Sequence, residues 1–137
     1  CKVFLHGAKR LAEIAEQKLK GGAVDDAELR DEIAPVFRKR DGERTDVVVL
    51  GCTHYPLLVE DMVRVQPWQV NYIDPAPPIA RRVADVLDET PLADAAKSVP
   101  SHNTVLLTSQ RADAADSLGA YAAMGFDKSQ FIDMPIR

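Results

Sequence analysis

The stretch Asp46-Val-Val-Val-Leu-Gly-Cys-Thr-His-Tyr-Pro-Leu-Leu58 joins a strand pattern to a helix pattern through a short polar loop. Residues 47–50 form an apolar run rich in β-branched side chains, which is typical of a strand covered on both faces. Gly51 ends the run. Pro56 is typical of the first turn of a helix, where its missing N–H costs nothing. The sequence therefore predicts a central strand, a loop and a helix, in that order.

The loop between the predicted strand and helix contains Cys52, Thr53 and His54. Open α/β sheets bind ligands at the carboxyl ends of their strands, and the amino end of a helix stabilises an anion. We therefore expect the thiol of Cys52 to ionise readily and to act as a base or nucleophile beside His54. The alternative is that Cys52 is a small buried residue and His54 a hydrogen-bonded loop residue, and a bare Cys-x-His does not decide between them.

The longer string Leu50-Gly-Cys-Thr-His-Tyr-Pro-Leu-Leu58 resembles the C-terminal active-site signature of the glutamate racemases, within the aspartate/glutamate racemase superfamily. The similarity continues at Tyr72-Ile-Asp74 and at Ala80-Arg-Arg-Val83, so it covers about residues 46–87. The resemblance implies an α/β fold, a parallel-sheet sandwich in which two pseudo-symmetric domains close over the substrate. By this comparison, residues 1–74 are the latter part of the second domain and residues 75–137 return to the first, so the chain is an incomplete C-terminal portion.

The activity that the resemblance implies is interconversion of L-glutamate and D-glutamate without a cofactor or a metal, supplying D-glutamate for peptidoglycan. In this family two cysteines flank the α-carbon, and each acts in turn as thiolate base and thiol acid. Cys52 matches the cysteine of the second half. His54 would assist it, and Thr53 would help to hold the substrate carboxylate.

The opposing cysteine motif of the family is not found in the 137 residues, and the residues that follow Cys1 do not match it. We therefore expect the chain to need the N-terminal half of the same enzyme as its partner, and to be inactive alone. Enzymes of this family often form homodimers, which no residue here indicates. Two alternatives stay open: a racemase for aspartate or a related amino acid, and a non-catalytic binding or regulatory module derived from the family.

Charge and composition exclude other classes of function. The 17 basic and 21 acidic side chains give a net charge of −4 with no basic stripe, so nucleic acid and anionic membranes are poor partners. No apolar run approaches the ~20 residues of a membrane-spanning helix. Two cysteines make no disulfide framework, which favours a reducing compartment, and we expect a cytoplasmic protein.

The remaining pattern alternates strands and helices, as in βαβ units. The predictions before the central strand are a strand at Lys2–Leu5, a helix that Gly21 and Gly22 end, a second helix capped by Asp25 and extending to Phe37, and a charged surface turn at residues 39–44. Those after it are a strand at 69–73, a helix with Ile79, Val83, Val86 and Leu87 on one face, a loose region at 88–103, a strand at 104–108, a helix at 111–123 and a strand at 130–132. Asp74 either caps a helix or belongs to the active site. His6 and His102 have no partner at ligand spacing.

Overall fold

The computed structural model describes residues 2–89, 102–108 and 118–132. The chain divides into two compact units, Cys1–Val86 and Leu87–Arg137. The assignment of residues 1–74 and 75–137 to two domains of a larger architecture stays a prediction.

Helix α1 spans Leu11–Leu19 and buries Leu11, Ile14 and Ala15, which recur at helix-face spacing. The predicted end of this helix is confirmed, since Gly21 adopts a φ of +84°, a left-handed conformation that favours glycine. The predicted strand at Lys2–Leu5 is wrong, because these residues pair with no described strand. Leu5 is 92% exposed.

Helix α2 spans Asp26–Ile33 and has the predicted cap: the Asp25 carboxylate accepts hydrogen bonds from the N–H groups of Ala27 and Glu28, at 2.8 and 2.9 Å. The predicted extension of this helix to Phe37 is wrong. A 3-10 helix, Ala34–Val36, follows instead. Pro35 explains the change, because it lacks the N–H that would continue the α-helical hydrogen bonds.

The charged turn is a β-hairpin in which β1, Lys39–Arg40, pairs antiparallel with β2, Glu43–Arg44. Its turn residues Asp41 and Gly42 have φ values of 54° and 79°. Positive φ at two successive residues matches the right-handed twist of a tight hairpin. All four strand residues are exposed, so the interpretation as a surface turn holds.

Strand β3, Val47–Val49, pairs in parallel with β4, Asn71–Ile73. The 3-10 helix Tyr55–Leu58 and helix α3, Val59–Val65, connect the two strands. This is the predicted βαβ order. Because the strands are parallel, Cys52 and Asp74 follow them at the same edge of the sheet.

The prediction that β3 is covered on both faces is wrong for the described residues. Val48 and Tyr72 lie against the helices, but the opposite face is open, with Val47, Val49 and Ile73 exposed by 42%, 63% and 42%. An apolar run indicates only that the side chains on both faces of the strand are hydrophobic enough to be buried. Here helices cover one face, and no described element of the first unit covers the other.

The core lies between that covered face and helices α1, α2 and α3. Its most enclosed large side chains are Leu29, Leu58 and Met62. Among the described residues, the buried apolar side chains are Leu11, Ile14, Ala15, Leu29, Ile33, Leu50, Leu58, Met62 and Val65. Every member comes from residues 11–65, so this core holds in place the loop of residues 51–54, which we call the motif loop.

Helix α4 spans Ala76–Asp88 with its prolines in the first turn, as predicted. Asp74 Oδ1 accepts a hydrogen bond from the N–H of Ala76 at 2.8 Å, which is the predicted capping role, and an active-site role for Asp74 stays a prediction. The apolar face of α4 is exposed, with Ile79 at 60% and Val83 at 53%. The apolar periodicity of the sequence thus predicted which residues share one face of α4, but not that this face is exposed.

In the second unit, β5, Thr104–Leu107, pairs in parallel with β6, Lys128–Phe131, and helix α5, Leu118–Ala123, lies between them in sequence. His102 Nδ1 lies 2.7 Å from Asp127 Oδ2 just before the two strands, and this interaction holds the pKa of Asp127 below its usual value. The predicted strands are confirmed, with the second beginning earlier than expected. The start of the predicted helix at 111–117 and most of the loose region lie outside the described residues.

In the described ranges 2–89, 102–108 and 118–132, no helix is long and apolar enough to cross a membrane.

The first prediction concerns the core. Leu29 is 0% exposed, so Leu29→Ala should lower the free energy of unfolding by about 2–5 kcal/mol through lost burial and the cavity left behind. The matched control is Leu5→Ala, the same change at a side chain that is 92% exposed, for which we expect less than about 0.5 kcal/mol. Urea unfolding followed by far-ultraviolet circular dichroism measures both. Equal losses would contradict the assigned core.

The second prediction concerns Tyr72, whose hydroxyl is buried without a hydrogen-bond partner in the described structure. Burial raises the pKa of Tyr72 to about 12, above the value of 10.0 expected in the unfolded chain. Between these values the unfolded chain binds fewer protons, so stability should fall as pH rises from about 10 to about 12. Tyr72→Phe should weaken this loss and be neutral or stabilising by up to about 1 kcal/mol at neutral pH. Urea midpoints at several alkaline pH values measure both effects, and an unchanged pH dependence would contradict the burial.

Candidate active site

The backbone around Cys52 turns sharply between strand and helix. The N–H of Leu50 still bonds the carbonyl of Ile73 at 3.0 Å, which extends the pairing of β3 with β4 by one residue. The N–H of Tyr55 then bonds the carbonyl of Cys52 at 3.2 Å and starts the 3-10 helix, with Pro56 in its first turn. The motif loop is thereby fixed at both ends.

The structure brings Cys52 and His54 together, as the sequence predicts. Cys52 Sγ lies 3.6 Å from His54 Nδ1, within the range of a hydrogen bond to sulfur. Both residues are partly exposed, so a substrate could reach the sulfur. Thr53, between them, is exposed. Cys1 lies outside the described residues.

Glu16, on helix α1, lies beside His54, a proximity that the sequence did not reveal. Its Oε1 lies 3.6 Å from His54 Nε2, on the side of the ring away from Cys52. A neutral imidazole with its proton on Nε2 has Nδ1 as its acceptor, and a carboxylate on the Nε2 side of the ring is compatible with that tautomer. Exposed glutamates are common on helix surfaces and Glu16 is distant from Cys52 in sequence, so no pattern pointed to it.

The electrostatic surroundings of the thiol include the Tyr55 phenol. Burial raises the pKa of Tyr55, and the negative charges of Cys52 and Glu32 raise it further. Tyr55 is therefore neutral over the physiological pH range. A neutral phenol can donate a hydrogen bond but does not compete with Cys52 as a base.

The arrangement Glu16, His54 and Cys52 suits proton transfer at a carbon placed against one side of the sulfur. In the described parts of the chain, no group of three or more His, Cys, Asp or Glu side chains could hold a metal ion. A shallow depression lined by Arg44, Asp46, Gln69, Val70 and Asn71 lies at the amino ends of β3 and β4. Because Cys52 follows the carboxyl end of β3, this depression does not belong to the site.

No family model matches the chain. Curated relatives do match: it is 45% identical over 113 residues to the glutamate racemase of Mesorhizobium japonicum, covering 82% of this chain and 42% of that protein. It is 51% identical over 87 residues to the glutamate racemase of Brucella canis, covering 64% of this chain and 31% of that protein. The chain thus spans less than half the length of these two relatives.

A solved structure also matches, the crystal structure of Escherichia coli glutamate racemase in complex with L-glutamate and the activator UDP-MurNAc-Ala. The TM-score is 0.79 at 28% sequence identity, and the match covers 97% of this chain and 48% of that chain. This similarity, with the two parallel strand pairs, confirms the predicted α/β fold of the aspartate/glutamate racemase type.

Proposed function

Because the chain is homologous to one portion of the glutamate racemases, we propose that it forms one side of a racemase site that interconverts L- and D-glutamate without a cofactor. The observation that carries the proposal is the contact between Cys52 Sγ and His54 Nδ1, with Glu16 on the far side of the ring. In a bacterium the D-glutamate would serve peptidoglycan synthesis.

The chemistry sets what the site must supply. The α-proton of glutamate is weakly acidic, and a base must remove it in a site that stabilises the developing negative charge. We propose that the Cys52 thiolate takes this proton on one face and that an acid on the opposite face protonates the same carbon. Return of the proton on the first face would restore the starting enantiomer, so a second group is required.

The roles of the other residues follow from their positions. In this proposal His54 accepts and returns the proton of the Cys52 thiol through Nδ1, and Glu16 orients the imidazole through Nε2. Thr53, exposed beside them, donates to the substrate carboxylate. The opposing thiol would come from polypeptide outside this sequence, so the chain alone should not racemise glutamate. In the same proposal, residues 1–74 belong to one domain of the complete enzyme and 75–137 return to the other.

The test replaces the matched segment of a full-length relative with this chain. Circular dichroism of the amino acid then follows racemisation of L-glutamate, D-glutamate and both enantiomers of aspartate. Turnover of glutamate by the chimera and none by the chain alone supports the proposal. Turnover of aspartate in preference to glutamate would favour the alternative substrate, and an inactive but folded chimera would favour a non-catalytic module.

The third prediction is that Cys52→Ser in the chimera lowers kcat/KM for both enantiomers by at least about 100-fold, because a hydroxyl of similar size is a far weaker acid. Cys1→Ser is the control and should leave kcat/KM unchanged. The same assay measures both variants. Full activity of Cys52→Ser would remove this sulfur from the mechanism.

The fourth prediction concerns Glu16→Gln, which keeps the shape of the side chain and removes its charge. Glu16 is half-exposed, and exposed pairs contribute about 0.2–1 kcal/mol, so kcat/KM should fall by up to about fivefold. Glu13→Gln, one turn earlier on α1 and paired with Arg10, is the matched control and should have no effect. Equal kinetics for the two variants would exclude Glu16 from the site.

A further inference from the structure

Asp61, on helix α3, is the one charged residue among the described ones that is buried, with 7% of its surface exposed. Burial alone would raise the pKa of this carboxyl, but hydrogen bonds from Lys18 and Arg64 outweigh burial and hold the pKa below its usual value. A buried carboxylate is costly unless it is paired in this way. The residues that pair with the Asp61 carboxylate therefore indicate which segments it holds together.

One partner, Lys18, makes two contacts at once. Its Nζ donates to Asp61 Oδ2 at 2.6 Å and to the carbonyl oxygen of Leu57 at 2.8 Å. The other partner, Arg64, donates from Nη2 to Asp61 Oδ1 at 2.8 Å and to Asp26 Oδ1 at 2.7 Å. The charged network thus connects α1, α3 and α2, and Lys18 extends it to the 3-10 helix Tyr55–Leu58.

The Leu57 carbonyl places Lys18 next to the motif loop. Leu57 lies in the 3-10 helix Tyr55–Leu58, and its N–H bonds the carbonyl of His54 at 3.1 Å. Lys18 therefore binds a peptide segment that is hydrogen-bonded directly to His54. Glu16, which faces the His54 ring, lies two residues before Lys18 on the same helix. Helix α1 thus approaches the His54 ring through Glu16 and contacts the backbone of the 3-10 helix Tyr55–Leu58 through Lys18.

We propose that Lys18 is a positioning residue, which fixes the 3-10 helix on α1 so that the His54 ring stays between Cys52 and Glu16. The Lys18 ammonium group donates to the Leu57 carbonyl of the 3-10 helix, and Asp61 holds the ammonium group in place. The consequence for catalysis rests on the proposed racemase function. The positioning role of Lys18 does not rest on that function, because it can be tested through the reactivity of Cys52 in this chain.

The first experiment needs no activity. The chain with its own sequence and each variant are treated with iodoacetamide over a range of pH, and mass spectrometry of the peptide that contains Cys52 measures the rate of alkylation. Lys18→Met should slow alkylation of Cys52 at neutral pH by about threefold or more and change the pH profile, because His54 no longer sits reliably against the sulfur. Lys18→Arg, which keeps the charge and the donors, should restore at least half of the rate.

The matched control is Asp26→Asn, which breaks the network at its other end and leaves the contacts of Lys18 intact. It should lower the urea midpoint but leave the Cys52 profile unchanged. Unchanged alkylation in Lys18→Met, or the same change in Asp26→Asn, would overturn the proposal in favour of a purely structural role. If Lys18→Met does not fold, Lys18→Gln, which keeps an N–H donor with a shorter reach, is measured by the same criteria.

The fifth prediction extends the test to the chimera. Lys18→Met should lower kcat for glutamate by about tenfold with KM within about twofold, since misplacement of a proton-transfer group affects turnover more than binding. An inactive chimera combined with altered Cys52 alkylation would refute the racemase function and leave the positioning role standing. An active chimera that Lys18→Met does not slow would refute the positioning role alone.

Discussion

The parallel pairing of β3 with β4 is the constraint on which the site depends. It places the residues that follow both strands at one edge of the sheet. The pairing extends to Leu50, and the loop that contains Cys52 begins immediately after that residue. Helices α1, α2 and α3 then cover one face and enclose Leu29, Leu58 and Met62. Since Leu58 ends the 3-10 helix of the motif, the same hydrophobic contacts that stabilise the unit also set the position of the sulfur.

Helix α1 has two functions in this arrangement. Ile14 and Ala15 belong to the core. Lys18, one turn later on the same side, donates to the Leu57 carbonyl, and Glu16 projects from another side to the His54 ring. A helix serves this purpose well, because residues two apart project in different directions from a rigid backbone. One of them can therefore contact the imidazole while the other binds the following backbone.

Apart from the strand expected at Lys2–Leu5 and the hairpin at residues 39–44, the sequence predicted the order of the described helices and strands, the position of Cys52 between strand and helix, and its proximity to His54. These depend on local patterns: a β-branched run, a glycine and a proline at close spacing. It did not predict Glu16 or the pairing of Lys18 with Asp61, because both depend on which helix faces the loop in three dimensions. The burial predicted from the sequence was also wrong for β3, and the exposure of the apolar face of α4 was not predicted. The apolar period of α4 and the residues of β3 indicate surfaces suited to contact, but exposure depends on what lies opposite them.

The open face of the β3 and β4 pair has a further consequence. Val47, Val49 and Ile73 present a strip of hydrocarbon to water on this face. Such a strip attracts other apolar surfaces, including that of a second copy. Self-association of folded chains would make the measured unfolding midpoint rise with protein concentration, so dilution series belong with every thermodynamic comparison made on this polypeptide.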